Sequence, residues 1–489
     1  MSKKIELFFI SSEVSPFSKT GGLADVSYAL PKELQKQGIN VSIFTPKYAV
    51  IDDNKYNLQD VPNSEFQIQI GEKLLEGKLK SLQIEENLKV YFVVNDHYYG
   101  RSGLYVDPVS NSDYSDNMER FIFFSRGILE AAKKINLKPH IIHCNDWQTG
   151  LIPVYLKTLY SEDPFYNKTK SIYTIHNLAY QGIFDKGEYY KIGLSWEFFS
   201  IDGFEFYDRI NFMKAGIIFA DKITTVSEKY AEEICSSVDY GYGLEGVLKN
   251  RKSDLYGILN GVDYTNWSPS RDKYIPKKYN SRDLTKKILN KKELLKRFNL
   301  PFDENIPTIG IISRLADQKG FDLIEAAADE LMQMPLQLVV LGVGEQKFQN
   351  FLERLEAQYP EKVGIYIGFS EELAHLIEAG SDMFLMPSRY EPCGLNQLYS
   401  LKYGTVPIVR ATGGLDDSIV QFNRDEQSGT GFKFYEYNRD ALLNAVKLAL
   451  EIFKDKTLWK KLMINGMKQD FSWRNSAKKY VKLYKNLIK

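Results

Sequence analysis

The stretch Ser15-Pro16-Phe17-Ser18-Lys19-Thr20-Gly21-Gly22-Leu23-Ala24-Asp25-Val26 decides how this chain is read. An apolar run, Ile5 to Ile10, precedes it and reads as a buried strand. Ala24 to Gln37 follows it, and Leu23, Val26, Leu30 and Leu34 recur there at helical spacing. The stretch is therefore a glycine loop between strand and helix, the first turn of a βαβ unit. Adjacent glycines let the backbone approach a ligand closely, and a helix start presents N–H groups toward an anion. Lys19 adds a compact positive charge at that place. Together these features suit a phosphorylated ligand. Neither G-x-G-x-x-G nor G-x-x-x-x-G-K-[ST] is matched. The plain alternative is a tight turn beside a solvated lysine.

At 489 residues the chain is too long for one core, so two domains are expected. Its 44% hydrophobic and 26% charged content is ordinary for a globular enzyme. Sixty-three basic residues balance sixty-three acidic ones, which gives no net charge to hold a nucleic acid or a membrane surface. The 32 tyrosines and 29 phenylalanines supply core, with some faces left for sugars and bases. Cys144, Cys235 and Cys393 follow no metal-ligand spacing and no pairing pattern, which fits a reducing compartment. Met1-Ser2-Lys3-Lys4 runs straight into an apolar run too short for a signal peptide core. A cytoplasmic location is expected.

Strands and helices alternate along the first half. Asn40–Thr45, Val90–Val94, Pro139–His143, Lys170–Thr174 and Lys222–Val226 read as strands, and Asp116–Lys134 as an amphipathic helix. Phe66–Leu82, interrupted by Gly71 and Gly77, reads as an antiparallel excursion. Polar residues cluster where the strands end, as in a doubly wound sheet with ligands at its carboxyl edge. Leu255–Leu259 is expected to open a second series, with the boundary near Gly243–Tyr256. A lysine-rich stretch, Arg271–Arg297, leads to strands at Pro307–Ile312, Gln337–Leu341, Gly364–Ile367, Asp382–Met386, Val406–Val409 and Gly431–Phe434. Trp473–Ile488 closes the chain as a helix with one apolar face.

Several of these junctions could carry chemistry. Arg314 and Lys319 lie five residues apart across a strand-to-helix turn, where a fork and a point charge can converge on one pyrophosphate. Thr412-Gly413-Gly414-Leu415 repeats the look of Thr20-Gly21-Gly22-Leu23. Glu391 sits in Ser388-Arg389-Tyr390-Glu391-Pro392-Cys393-Gly394-Leu395-Asn396-Gln397, able to bind hydroxyls or stabilise charge developing on a sugar carbon. Cys393 reads as a small packing residue. Of five histidines, His176 is placed just past a strand end, beside Asn177, whereas His143 reads as a satisfied core residue and His375 supports no claim. No His/Cys/Asp/Glu cluster has metal-ligand spacing, so no metal or other cofactor is expected.

The ordered set Lys19–Val26, His143–Gln148, Thr174–Asn177, Asn260-Gly261-Val262-Asp263, Ser313-Arg314-Leu315, Gln318-Lys319-Gly320 and Glu391–Leu395 resembles bacterial glycogen synthases and plant starch synthases over nearly the whole chain. The resemblance implies an α/β, GT-B retaining glycosyltransferase. Two Rossmann-like domains, 1–254 and 255–470, would have the active site in the cleft between them. A helix, 471–489, would cross back to the first domain. It implies glucose transfer from ADP-glucose to the non-reducing 4-hydroxyl of an α-1,4-glucan. By position, Lys19, Gly21, Gly22, Asp25, Asn177 and Asn260 match donor-binding residues. So do Cys393, Gly394, Leu395, Asn396, Thr412, Gly413 and Gly414. Glu391, His176, Lys319 and Arg314 match catalytic positions, and Asp146, Trp147 and Gln148 match acceptor positions. Asn396 stands where the family pattern has threonine, and Tyr399 where the wider superfamily has glutamate. Other readings are a UDP-glucose enzyme, a sucrose or trehalose-phosphate synthase, a phosphorylase, or an inactive glucan-binding protein.

Overall fold

A computed structural model describes residues 4–489; Met1–Lys3, where part of the leader reading falls, lie outside it. The chain divides into two compact units: Met1–Val226 with Ala231–Ile258 and Trp473–Lys489, and Ser227–Tyr230 with Leu259–Ser472.

The first unit is built on a sheet of ten strands. Its main elements are β1 (Glu6–Ile10), α1 (Gly22–Lys36), β2 (Asn40–Pro46), β3 (Phe66–Ile70), β4 (Lys73–Glu85), β5 (Leu88–Val94), α2 (Asn117–Lys134), β6 (Ile141–Asn145), β7 (Lys170–Ile175), β8 (Lys222–Thr225) and β9 (Leu255–Gly257). The order across the sheet is β9-β8-β7-β6-β1-β2-β5-β4, with β3 and the two-residue strand Gln59–Asp60 also on β4. Strands β9 through β5 run parallel, while β3 and β4 form the expected antiparallel excursion. Leu7 through Ile10 are buried on both faces, as a parallel central strand requires. The buried Phe121–Phe124 run of α2 contributes to the same core.

The Leu255–Leu259 run does not open a second series. Leu255–Gly257 is the edge strand of the first sheet, in register with Ile223–Thr225. Its short apolar run follows a helical crossover from β8, and a parallel neighbour for β8 needs just such a crossover. The second unit therefore takes up the chain at Leu259.

That unit contains α3 (Lys287–Arg297), β10 (Thr308–Ile312), α4 (Phe321–Gln333), β11 (Gln337–Gly342), α5 (Gln346–Gln358), β12 (Val363–Ile367), α6 (Glu371–Gly380), β13 (Met383–Met386), α7 (Asn396–Tyr403), β14 (Val406–Arg410), α8 (Gly413–Ser418), β15 (Phe432–Phe434), α9 (Arg439–Lys454) and α10 (Lys456–Met467). All six strands are parallel, in the order β12-β11-β10-β13-β14-β15. Numbered along the chain that is 3-2-1-4-5-6, the dinucleotide-fold order. Strand order reverses between β10 and β13, and it is at such a point that an open α/β sheet takes its ligand. The last helix, α11 (Trp473–Leu487), belongs to the first unit, where the Tyr484 hydroxyl meets His143 Nδ1 at 2.7 Å.

Candidate active site

In the first unit the order reverses at β1, flanked by β2 and β6, and the loops after β1 and β6 carry the polar residues. The glycine loop leaves β1 and enters α1 at Gly22. A Cβ on Gly21 or Gly22 would meet no atom of the described residues within 4 Å, so their packing does not demand glycine at either place. Lys19 Nζ reaches Asp25 at 2.8 Å, with both side chains largely in solvent. The loop's amides already hold an anion from within the chain. Glu13 Oε2 accepts the N–H groups of Thr20 and Gly21.

After β6 the backbone turns sharply: Asp146 has φ 56° and ψ −179°, a conformation costly for any residue with a side chain. Its Oδ1 accepts the His176 N–H at 2.8 Å, tying the end of β6 to the end of β7. Burial pushes this carboxyl up to about 7, against the pull of the His176 and Asn177 amides, and the nearby Glu13 charge adds to the rise. His176 is held down to about 3 by burial, so the ring is neutral at physiological pH. Asn145 donates through Nδ2 to the Ile10 carbonyl, which leaves its Oδ1 to accept His176 Nε2–H at 2.9 Å. That arrangement makes Nδ1 the accepting nitrogen of His176. Asn177 Oδ1 accepts the Ala179 N–H, a local turn. Trp147 packs edge-on to Phe121 at 4.9 Å and near Phe184 at 5.8 Å. Gln148 is buried, and its Oε1 has no partner among the described residues.

In the second unit the loops after β10 and β13 flank the switch point. Lys319, at the end of the turn into α4, puts Nζ 2.6 Å from Glu391 Oε2, and Ser388 Oγ donates to the same oxygen at 3.2 Å. A buried carboxylate with a fixed cation thus sits where the strand order reverses. Arg314 is exposed and makes one long hydrogen bond, 3.4 Å, to Gln318 Oε1. The structure joins Lys319 to Glu391 rather than to Arg314.

The two glycine pairs, alike in sequence, differ in surroundings. A Cβ on Gly413 would lie 2.0 Å from the Glu391 carbonyl oxygen, and one on Gly414 only 1.9 Å from that of Cys393. Thr412-Gly413-Gly414 therefore lets β14 and α8 close against the Glu391–Cys393 backbone, and the Gly414 N–H donates to the Glu391 carbonyl at 3.0 Å. Gly394 and Leu395 lead into α7, whose first residue, Asn396, donates from Nδ2 to the Ile312 carbonyl at 2.6 Å. Asn396 thus ties the end of β10 to the helix. The buried Asn260 lies against Cys393, whose thiol burial pushes up to about 12, far from a nucleophile. Tyr399 stacks on Trp267 at 3.9 Å, and Trp267 stacks on His375 at 3.7 Å.

Sequence reasoning passed over three of these residues. Glu13 matches no motif of its own, and nothing local shows that its carboxylate turns back on the Thr20 and Gly21 amides seven and eight residues later. His375 pairs with Asp272 at 2.7 Å, a partner more than a hundred residues away. Phe369, just past β12, is 88% exposed, an aromatic face at the carboxyl edge of the sheet. Only its place at a strand end could have singled it out. Among the described residues no group of His, Cys, Asp and Glu side chains could hold a metal ion, and no helix is long and apolar enough to cross a membrane.

Residues 6–250 match the family model described as the starch synthase catalytic domain, and residues 292–462 that of glycosyl transferases group 1. The glycogen synthase of Koribacter versatilis is 46% identical over 480 residues, 98% of each chain. That of Pseudothermotoga lettingae is 46% identical over 491 residues, again 98% of each. The chain belongs to the glycogen synthase family. Among solved structures, the catalytic domain of starch synthase IV from Arabidopsis thaliana, bound to ADP and acarbose, superposes with a TM-score of 0.88 at 32% identity, covering 99% of this chain and 100% of that one. A sucrose-phosphate synthase from Thermosynechococcus elongatus shares the fold, with a TM-score of 0.61 at 17% identity and 99% coverage of each. As a glycogen synthase family member, the chain is a two-domain GT-B hexosyltransferase.

Proposed function

We propose that this glycogen synthase transfers glucose from ADP-glucose to the non-reducing 4-hydroxyl of an α-1,4-glucan, with retention and without a metal, in the cytoplasm. The observation that carries this reading is the Lys319–Glu391 pair at the switch point of the second unit. A diphosphate leaving group gains negative charge as the glycosidic bond breaks, so Lys319, Arg314 and Lys19 are assigned to its oxygens. The open space beside Gly21 and Gly22 suits close approach of the same group. The family resemblance favours adenine as the base, and Phe369 offers it a stacking face.

For retention we favour front-face return, in which the donor phosphate takes the acceptor proton. A covalent intermediate would need a second carboxylate free beneath the anomeric carbon. Asp146 is engaged with the His176 amide, and Glu391 with Lys319 and Ser388. Neutral His176, with Nδ1 accepting, can receive a sugar hydroxyl, as can Asn177, Asn260 and the 393–396 segment. Asp146, Trp147 and Gln148 are assigned to the acceptor. Support also comes from the starch synthase IV relative, which was solved with ADP and acarbose.

The test is glucose incorporation into glycogen from ADP-glucose and UDP-glucose in parallel, with a chelator present. Strong incorporation from ADP-glucose alone is expected. Transfer from UDP-glucose alone overturns the donor, loss of transfer on chelation overturns metal independence, and no transfer by folded protein overturns the reaction.

A further inference from the structure

Glu13 is 4% exposed and takes no direct part in the chemistry above. Its Oε2 accepts the Thr20 N–H at 2.5 Å and the Gly21 N–H at 3.2 Å. Its Oε1 accepts the hydroxyls of Thr20 at 2.6 Å and Tyr105 at 2.9 Å. A carboxylate has about four lone-pair sites, and here four donors fill them. A carboxylate so occupied has nothing left to offer a ligand, and its effect is on the groups that hold it.

Those groups belong to two separate pieces of the first unit. Glu13 follows β1, Thr20 and Gly21 form the glycine loop, and Tyr105 comes from the segment before α2. Tyr105 is itself fixed, because Asn117 at the head of α2 donates to its carbonyl at 3.0 Å. Elsewhere the loop is held by the Ser15 N–H on the Ala24 carbonyl at 3.0 Å, by the Ser18 N–H on the Val14 carbonyl at 3.0 Å and by the Lys19–Asp25 pair, while the Thr20 and Gly21 amides go to Glu13. Gly21 occupies the N-cap of α1 without any local side-chain cap. Besides Asp25 in its first turn, the helix start receives negative charge from Glu13, eight residues earlier than Gly21. The amides of Thr20 and Gly21, which the sequence alone would give to a phosphate, are thereby taken.

We infer that Glu13 is the positioning residue of the donor loop, an occupied anionic clamp that sets where Lys19 and the amides beyond Gly21 meet the diphosphate of the nucleotide sugar. This rests on the reading of the loop given under the proposed function. Glu13→Gln is near-isosteric. It can turn its oxygen toward the two amides, but it loses the charge, and its NH2 then faces two hydroxyls that had been donors. The loop should loosen while the fold persists. Glu13→Ala removes the clamp outright.

The experiment measures the ADP-glucose KM, the glycogen KM and hydrogen exchange over residues 13–26, for wild type and both variants, with thermal melting to establish folding. In Glu13→Gln we expect an ADP-glucose KM about tenfold higher, from weakened charge-assisted hydrogen bonds. Exchange over the loop should be faster and the glycogen KM unchanged, with a larger ADP-glucose effect in Glu13→Ala if it folds. A folded Glu13→Gln protein with an unchanged ADP-glucose KM overturns the inference. So does a variant in which both KM values hold and only kcat falls with the melting temperature, which is what a merely structural role would give. If wild type uses neither donor, the functional reading fails on its own, and the clamp is judged by exchange alone, where an unchanged rate overturns it.

Discussion

At the residue scale, Asp146 combines a strained backbone with a raised carboxyl, and the two have one cause. The chain turns back at the end of β6 so that this side chain caps the His176 amide in a place with little water. Because its folded value, about 7, exceeds the ordinary 3.8, the native state holds a proton that the unfolded chain releases between those values. Its contribution to stability is whole below the unfolded value and is lost as pH rises toward 7. Asp146→Asn keeps an oxygen for the His176 amide and has no proton to lose. The stability difference between wild type and Asp146→Asn should therefore fall steadily from pH 4 to pH 7, read by melting temperature, and a difference that stays constant refutes the assignment. The glycine pairs give a second residue-scale expectation. Gly414→Ala drives a Cβ into the Cys393 carbonyl and should cost roughly 3 kcal/mol or more in chemical denaturation. Gly21→Ala meets nothing and should stay within about 1 kcal/mol. If its ADP-glucose KM nevertheless rises, the glycine there serves the ligand. Sequence could not separate the two pairs, because T-G-G-L is a local pattern and the difference lies in what packs against it.

At the element scale, most strands were legible because parallel strands are continuous apolar runs, as at Phe8–Ile10 and Leu338–Leu341. Helix α3 was not. It lies inside the lysine-rich stretch Arg271–Arg297, to which the sequence reading assigns no element, and there Lys287 and Lys291 point inward. Lys287 Nζ donates to the Ala379 carbonyl and to Thr405 Oγ1, each at 2.9 Å, and Lys291 pairs with Asp382 at 2.7 Å. Beneath α7, Ser400 Oγ donates to the buried Glu378 at 2.7 Å. Burial pushes Glu378 up to about 8 and Lys287 down to about 7. The signs are opposite. Glu378 makes the fold lose stability as pH climbs from 4.5 toward 8, whereas Lys287 makes it gain stability from 7 toward 10.5. Glu378→Gln removes the first slope and leaves the second. Its melting temperature should gain on wild type between pH 5 and pH 8 and then hold a constant difference, and a difference flat throughout would show that Glu378 is ionised at the lower pH.

At the scale of the whole molecule, the order of the chain and the order of the fold do not coincide. The first unit is closed by the last helix of the chain, so its core is complete only once residues 473–489 have been made. The contribution of α11 is specific: Ala477, Tyr480 and Tyr484 are buried, and His143 shares its two ring nitrogens between the Tyr484 hydroxyl at 2.7 Å and Thr174 Oγ1 at 2.5 Å. Burial holds His143 down to about 3, so it is a neutral group that must find hydrogen bonds inside the protein. Tyr484→Phe leaves one nitrogen without its partner and should cost about 1–3 kcal/mol. Truncation after Ser472 removes three buried aromatic side chains, Trp473, Tyr480 and Tyr484, each worth roughly 1.5–3 kcal/mol, in addition to orphaning the histidine. The second unit contains none of these groups. Calorimetry of the truncated chain should therefore show a melting transition shifted down for the first unit and unchanged for the second. Equal shifts of both transitions would mean that α11 supports the molecule by some route other than the His143–Tyr484 core.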